Sequence, residues 1–249
     1  MSANSSSNGS QTRVDSDTSV SKKNLGLKWR CTAAIPLPPK KSVEEHAATQ
    51  EEFLAQTLEP LLESARHGEG HVFFVDAAHF VQGAFLCCLW CARRLFLRGA
   101  SGRKRYSVLG AWNAMTNQLV SITTSGTVSS DTMCDLLRQI AALRLPGPVT
   151  LVLDNARYQR CALVKNLAAE LNIRLEFLPS YSPNLNLIER LWKFIKRDVL
   201  YGKHYNDFAS FCQAIDGCLQ NIPTKHKSKL ASLMTHNFQK FDITSFLAA

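Results

Sequence analysis

Val149-Thr-Leu-Val-Leu-Asp154-Asn155, VTLVLDN, is the stretch on which the fold turns. Its apolar residues do not alternate with polar ones, so a strand formed here is buried on both faces, as in the parallel interior of an α/β sheet. "LPGPV" at 145–149 separates it from the preceding segment. Upstream of that break, Ser130 to Leu143 reads as a helix with Met133, Leu136, Leu137 and Ile140 on one face. Downstream the pattern predicts a helix at about 159–171 and a short strand, "IRLEFLP", at 173–179. A "YSPNLN" loop follows at 181–186, then helices from Leu185 to Leu200, at 207–221 and, Lys-rich, at 225–234.

Further upstream, "HVFFVDAAHF" (71–80) reads as a strand, with strand-like runs at 84–92, 106–113 and 118–124 after it. Consecutive strands with short Gly, Ser and Asn breaks predict an antiparallel meander. Ser42 to Arg66 is helical, opened by a Ser42/Glu45 capping box, interrupted or kinked by Pro60 and stopped at Gly68 and Gly70. Residues 1–24 are Ser-rich and short of large apolar side chains, which predicts a flexible tail, and 25–41 is a Pro-rich connector. The chain thus divides into a tail and connector, 1–41, and one folded domain, 42–245. Its order, a run of strands and then alternating helices and strands, predicts an α/β fold with a mixed sheet flanked by helices.

The 249 residues carry 29 Lys and Arg against 20 Asp and Glu, a formal charge of +9 that favours polyanionic partners, nucleic acid first. The excess is local. No acidic residue occurs from Ala77 to Ser130, a span that holds Arg93, Arg94, Arg98, Arg103, Lys104 and Arg105. A solvated positive face and a phosphate-binding surface both account for it. The eight cysteines show no structural-zinc spacing, and Cys87-Cys88-x-x-Cys91 in "AFLCCLWCA" reads as core strand in a reducing compartment. No apolar stretch is long enough to span a membrane and the N-terminus has no signal-peptide core, so the expected location is cytoplasmic, with no membrane partner.

Three carboxylates stand out. Asp76 and Asp154 each follow an apolar strand, where sheet topology gathers polar groups, although either could simply cap the next turn. Glu189, Lys193 and Arg197 step by four along the edge of a stripe formed by Leu185, Ile188, Leu191, Trp192, Ile195 and Val199. That edge is either a salt-bridged solvent face or a carboxylate set beside two phosphate-holding cations. Three carboxylates would suit a hard oxygen site for Mg²⁺ or Mn²⁺, and two such ions about 3.5–4 Å apart can support phosphoryl transfer. His79, Trp90, Trp112 and Trp192 carry no metal role: the histidine reads as a hydrogen-bonding or DNA-contacting group, the tryptophans as core.

"FFVDAAHF", "GRKRYSVLGAWNAMTNQLV", "TLVLDNARYQR" and "LPSYSPNLNLIERLWKFIKR", in that order, resemble the catalytic domain of the mariner superfamily of DDE transposases, in its bacterial insertion-sequence branch. The resemblance runs from about Leu25 to Phe241, and the 34 residues between Asp154 and Glu189 match the superfamily's separation. It implies an RNase H-like fold, the integrase and transposase catalytic core, with Asp76, Asp154 and Glu189 as catalytic residues binding two Mg²⁺ ions, Mn²⁺ substituting. The implied activity is DNA cleavage at transposon ends and joining of the freed 3′-hydroxyl to target DNA. Asn155 would orient the carboxylate or the DNA, and Arg93, Arg94, Arg98, Arg103, Lys104, Arg105, Lys193 and Arg197 would bind DNA. Tyr181, Ser182, Pro183 and Asn186 match the loop that sets up the Glu-bearing helix, with Asn184 or Asn186 as its cap.

The chain departs from the family pattern at Ala77, where an acidic residue is frequent, at Asn184 for Asp, at Leu187 for Pro and at Gln159 for His; none of these removes the triad. Relatives carry helix-turn-helix modules ahead of this domain, and the 70 residues before the first strand lack room for two. The resemblance therefore implies a catalytic half acting on terminal inverted repeats and target DNA as a homodimer, with a helix-turn-helix polypeptide supplied separately from an upstream frame. The alternative is a truncated remnant that binds DNA without catalysis.

Overall fold

The computed structural model describes residues 42–83, 96 and 103–239, all within a compact unit spanning Pro36–Ala249. The tail and connector, the run at 84–92 with Cys87, Cys88, Cys91 and Trp90, and Arg93, Arg94 and Arg98 lie outside the described residues.

Five strands form one mixed sheet: β1 (His71–Val81), β2 (Arg105–Asn113), β3 (Leu119–Thr124), β4 (Val149–Leu153) and β5 (Ile173–Phe177), in the order β3-β2-β1-β4-β5. β1 to β3 make the antiparallel meander, while β4 and β5 continue parallel to β1. Thr150 to Leu153 of β4 are buried, as the unbroken apolar run requires of an interior strand.

Side chains alternate across the sheet and divide the core in two. On one face Phe74, Val108, Trp112 and Val152 pack with Leu58, Leu62, Leu191, Ile195 and Ile215. On the other, Phe73, Val75, Leu109 and Leu151 meet Met133, Leu137, Ile140 and Val164. The helices of the first face are α1 (Val43–Phe53, Leu54–Leu58 and Glu59–Arg66, consecutive helical segments), α5 (Ile188–Ile195, extended by Lys196–Leu200), α6 (Phe208–Gln220) and α7 (Lys227–Leu233). Those of the second are α2 (Ser130–Ala142), the short α3 (Arg157–Arg160) and α4 (Ala162–Glu170).

α1 opens with the predicted capping box and closes in a Schellman turn, where Gly68 takes φ 78° while its N–H bonds Ala65 O and the Glu69 N–H bonds Ser64 O. The α-helical ladder is interrupted just before Pro60, as predicted, without breaking the run of helical turns. The preceding turn widens to π geometry, with Glu59 N bonding Leu54 O, and the proline sits in the first turn of the segment that resumes. A difference lies at α5, which starts at Ile188 and not at Leu185. Pro183–Leu185 form a 3₁₀ turn instead, and the N-cap is Leu187, with neither Asn184 nor Asn186 capping by its side chain.

Candidate active site

Parallel pairing of β1 with β4 sets Phe74 opposite Val152, so Asp76 and Asp154, each two residues further on, reach the same level on neighbouring strands. Asp76 has the parity of Phe74 and therefore faces the side where α5 packs. Glu189 stands in the first turn of α5. Asp76, Asp154 and Glu189 meet in one cleft of about 330 Å³, lined as well by Asn155, Tyr181, Ser182 and Asn186.

Asp76 and Asp154 are each positioned by a hydrogen bond from a neighbour. The Trp192 indole Nε1 donates to Asp76 Oδ2 at 2.9 Å. That contact needs a gap in the adjacent strand, and Gly110, paired with Asp76, supplies it: a Cβ there would lie 2.7 Å from the Trp192 ring. Asp154 Oδ1 accepts from Ala156 N at 3.1 Å, so one oxygen caps the turn and the other stays available. Asn155 lines the cleft, but its Nδ2 donates to Leu178 O at 2.6 Å. Its hold is on the exit of β5, not on the Asp154 carboxylate.

The 181–186 loop is pinned at several points. Asn186 is buried and its Nδ2 donates to Val75 O, at 3.1 Å, next to Asp76. From α1, Gln50 Nε2 donates to Ser182 Oγ, while Asn184 Nδ2 donates to Gln50 Oε1, both at 2.9 Å. Tyr181 takes a positive φ of 61° at the cleft mouth, a conformation a non-glycine residue holds only when its surroundings impose it. Arg190, beside Glu189, does not enter the cleft; its guanidinium donates to Leu233 O, Thr235 O and Asn237 O and clamps the segment after α7.

Burial raises Asp76 to a pKa of about 7, helped by the charges of Glu189 and Asp154 and opposed by the Ala77 N–H and the indole. Burial also raises Glu189, with Lys193 and Lys196 pulling it back and Asp154 adding to the rise. Tyr158 is held protonated by burial and by the charges of Asp154 and Asp76. Among the described residues, no salt bridge neutralises any of the three carboxylates. Crowded anions, all with oxygen donors and without a neutralising partner, fit hard divalent cations.

The basic residues are less concentrated. Lys193 and Arg197 are exposed on α5, Lys193 beside Glu189. Arg103, Lys104 and Arg105 are exposed at the start of β2; Arg105 pairs with Val81, five residues beyond Asp76 and so about 17 Å along the strand. They are not part of the cleft. His79 is exposed with Nδ1 2.9 Å from Ser107 Oγ, a hydrogen-bonding role as predicted. Trp112 and Trp192 are buried core aromatics, but Trp192 also serves the site, which periodicity could not reveal. Gly110 carried a readable signal, since a glycine inside a strand marks a close approach by another group.

Residues 93–212 match the family model described as DDE superfamily endonuclease, a span that includes Asp154 and Glu189 and begins after Asp76. No curated protein matches the chain. The fold is similar to three solved structures of Mos1: the strand transfer complex (TM-score 0.55, 15% identity, 88% of this chain and 70% of that one), the transposase paired-end complex with left transposon end (0.56, 14%, 89% and 71%) and a pre-cleavage transpososome (0.56, 14%, 87% and 70%). At this identity the likeness shows the fold alone, and residues 93–212, a little under half of the chain, are similar to the DDE superfamily endonucleases.

Proposed function

We propose that the chain is the catalytic domain of a transposase, cleaving DNA at transposon ends and joining the freed 3′-hydroxyl to target DNA. The observation that carries this reading is the convergence of Asp76, Asp154 and Glu189 in one cleft, where β4 ends beside the middle of β1; Asp154 follows its strand as expected, whereas Asp76 lies within β1, which runs on to Val81. These residues would hold two Mg²⁺ ions, or Mn²⁺, and structures of similar fold include Mos1 paired-end complexes with Mn and with Mg. Bound there, the ions supply activation of the attacking hydroxyl and stabilisation of the leaving oxygen.

The chain's own groups prepare the site. Trp192 fixes one oxygen of Asp76, Ala156 N fixes one of Asp154, and Asn186 holds β1 beside Asp76, so the acceptors are set before substrate arrives. Burial keeps the Glu189 carboxyl above its ordinary pKa, and Lys193 and Lys196 lie close enough to offset part of that rise and to supply positive charge for a phosphate backbone. Arg93, Arg94, Arg98, Arg103, Lys104, Arg105 and Arg197 extend that basic surface, and Asn155 braces the cleft wall. Terminal inverted repeats and target DNA are the substrates, bound by a homodimer with a separate helix-turn-helix chain reading the repeats, in the cytoplasm. No helix among the described residues is long and apolar enough to cross a membrane.

The test is nicking of DNA bearing the element's ends by the full chain, alone and with its helix-turn-helix partner. Strand cleavage in Mg²⁺ or Mn²⁺ that is lost in Asp76→Ala, Asp154→Ala and Glu189→Ala is the expected result. DNA binding without any nicking in either metal sinks the catalytic reading and leaves the non-catalytic remnant.

A further inference from the structure

A second cluster of ligand-type side chains lies apart from the carboxylate cleft, where three helical elements end. Asp198 stands in the π turn that closes α5, Cys218 in the last turn of α6 and His226 at the N-cap of α7. One ligand atom from each, a carboxylate oxygen, the thiol sulfur and an imidazole nitrogen, all lie within 4.8 Å of one another. Cys218 and His226 are buried and Asp198 is half-buried. His226 Nε2 and Asp198 Oδ2 are 3.9 Å apart, beyond hydrogen-bond reach for two groups that pair readily when free to do so.

Ligand atoms of a tetrahedral zinc site with one S, one N and one O donor stand about 3.3–3.6 Å apart, given the usual bond lengths. The observed separation of imidazole and carboxylate needs to close by only a few tenths of an ångström, a side-chain adjustment. The ring of His226 is steadied against Phe194, centroids 5.1 Å apart, and its backbone N–H is held by Asn221 O. A thiol and an imidazole select a softer ion than the all-oxygen cleft does. We propose that Asp198, Cys218 and His226 form a structural Zn²⁺ site, with solvent at the fourth position, that ties the C-terminal end of α5 to α6 and α7. On binding, Cys218 Sγ loses its proton to solvent as the sulfur–metal bond forms, so the three ligands bring two negative charges to the ion. Because α5 also carries Glu189, the tie would stiffen the helix from its far end; the site itself is independent of what the cleft does.

Co²⁺ added to the full chain in chelator-stripped buffer provides the test, read by the thiolate-to-cobalt charge-transfer band and by displacement with one equivalent of Zn²⁺. The band should appear in a Cys87→Ser/Cys88→Ser/Cys91→Ser background and vanish in Cys218→Ala and in His226→Gln. X-ray absorption of the wild-type zinc form, which needs no variant to fold, should show one sulfur and one imidazole in the shell. A band that survives Cys218→Ala, a shell with several sulfurs or no sulfur, or no band at all would overturn the assignment.

Discussion

Trp192 joins scaffold and chemistry in one residue. Its ring is buried against Gly110 and Ile188 while its N–H reaches Asp76. Gly110→Ala forces the ring away and should cost about 1–3 kcal/mol through overpacking. Trp192→Phe keeps most of the packing and removes only the donor. In both variants DNA nicking should fall more than stability accounts for, measured as single-turnover cleavage beside chemical denaturation; cleavage unchanged in Trp192→Phe would deny the indole a positioning role. Asp76 makes a pH prediction of its own. Its folded pKa, about 7, lies above the ordinary 3.8, so the folded state binds the proton more tightly than the unfolded chain. The benefit is complete below about pH 4 and is lost as pH rises through 7, where the ionised, uncompensated carboxylate costs on the order of 4 kcal/mol. Metal-free Asp76→Asn should therefore melt higher than wild type at pH 8 and at the same temperature at pH 4. Mg²⁺ should raise the wild-type melting point and leave the variant unmoved; a variant that melts lower at pH 8 in EDTA would contradict this account. Asp154 was legible from a strand end, and Asp76 and Glu189 from the motifs; Asp76 lies inside β1 and not at its end, because β2 pairs with β1 as far as Val81, and the level at which it meets Asp154 depends on the register of β1 against β4.

Elements show where local pattern stops being informative. The spacing of Leu185 to Val199 correctly marks a buried stripe, yet the helix begins three residues later than the pattern suggests. Asn186 has the chemistry of a cap, but its amide is taken by Val75 O, a partner 111 positions away that no local pattern contains. Pro60 is a case where the local signal held: the α-helical ladder is interrupted before it, by a π turn. The non-local logic of Asn186 governs the whole 181–186 loop, which α1 holds through Gln50. That side chain touches His46, Ser182 and Asn184 in a buried polar network. Gln50→Ala strands those partners, so a loss of about 1–3 kcal/mol is expected. It should also loosen the loop that presents Asn186 and Glu189, seen as faster amide exchange at 181–186. Exchange there that matches wild type would mean the loop is held by Asn186 alone.

At the scale of the molecule, the mixed sheet and its flanking helices were readable because hydrophobic period and run length report burial directly: β4 as an unbroken run, α2 and α5 as stripes. Charge is different, since a count of Lys and Arg carries no address. The acid-free span looked like one basic patch, but its described part, Arg103 to Arg105, lies about 17 Å beyond Asp76 along β1, whereas Lys193 and Lys196 sit by Glu189. The two groups need not meet the same stretch of DNA. Counterion release separates them: each phosphate contact contributes about 0.9 to the slope of log Kobs against log salt for duplex DNA. Lys193→Ala with Lys196→Ala should reduce the slope by up to about 1.8 on any DNA long enough to cross the cleft. Arg103→Ala, Lys104→Ala and Arg105→Ala together should reduce it by up to about 2.7, but only on DNA extending well past the scissile position. Binding titrations on a short and a long duplex measure both. Equal effects of the β2 substitutions on the two lengths would place those residues on the same DNA segment as α5. No effect on either length would return them to a solvated face.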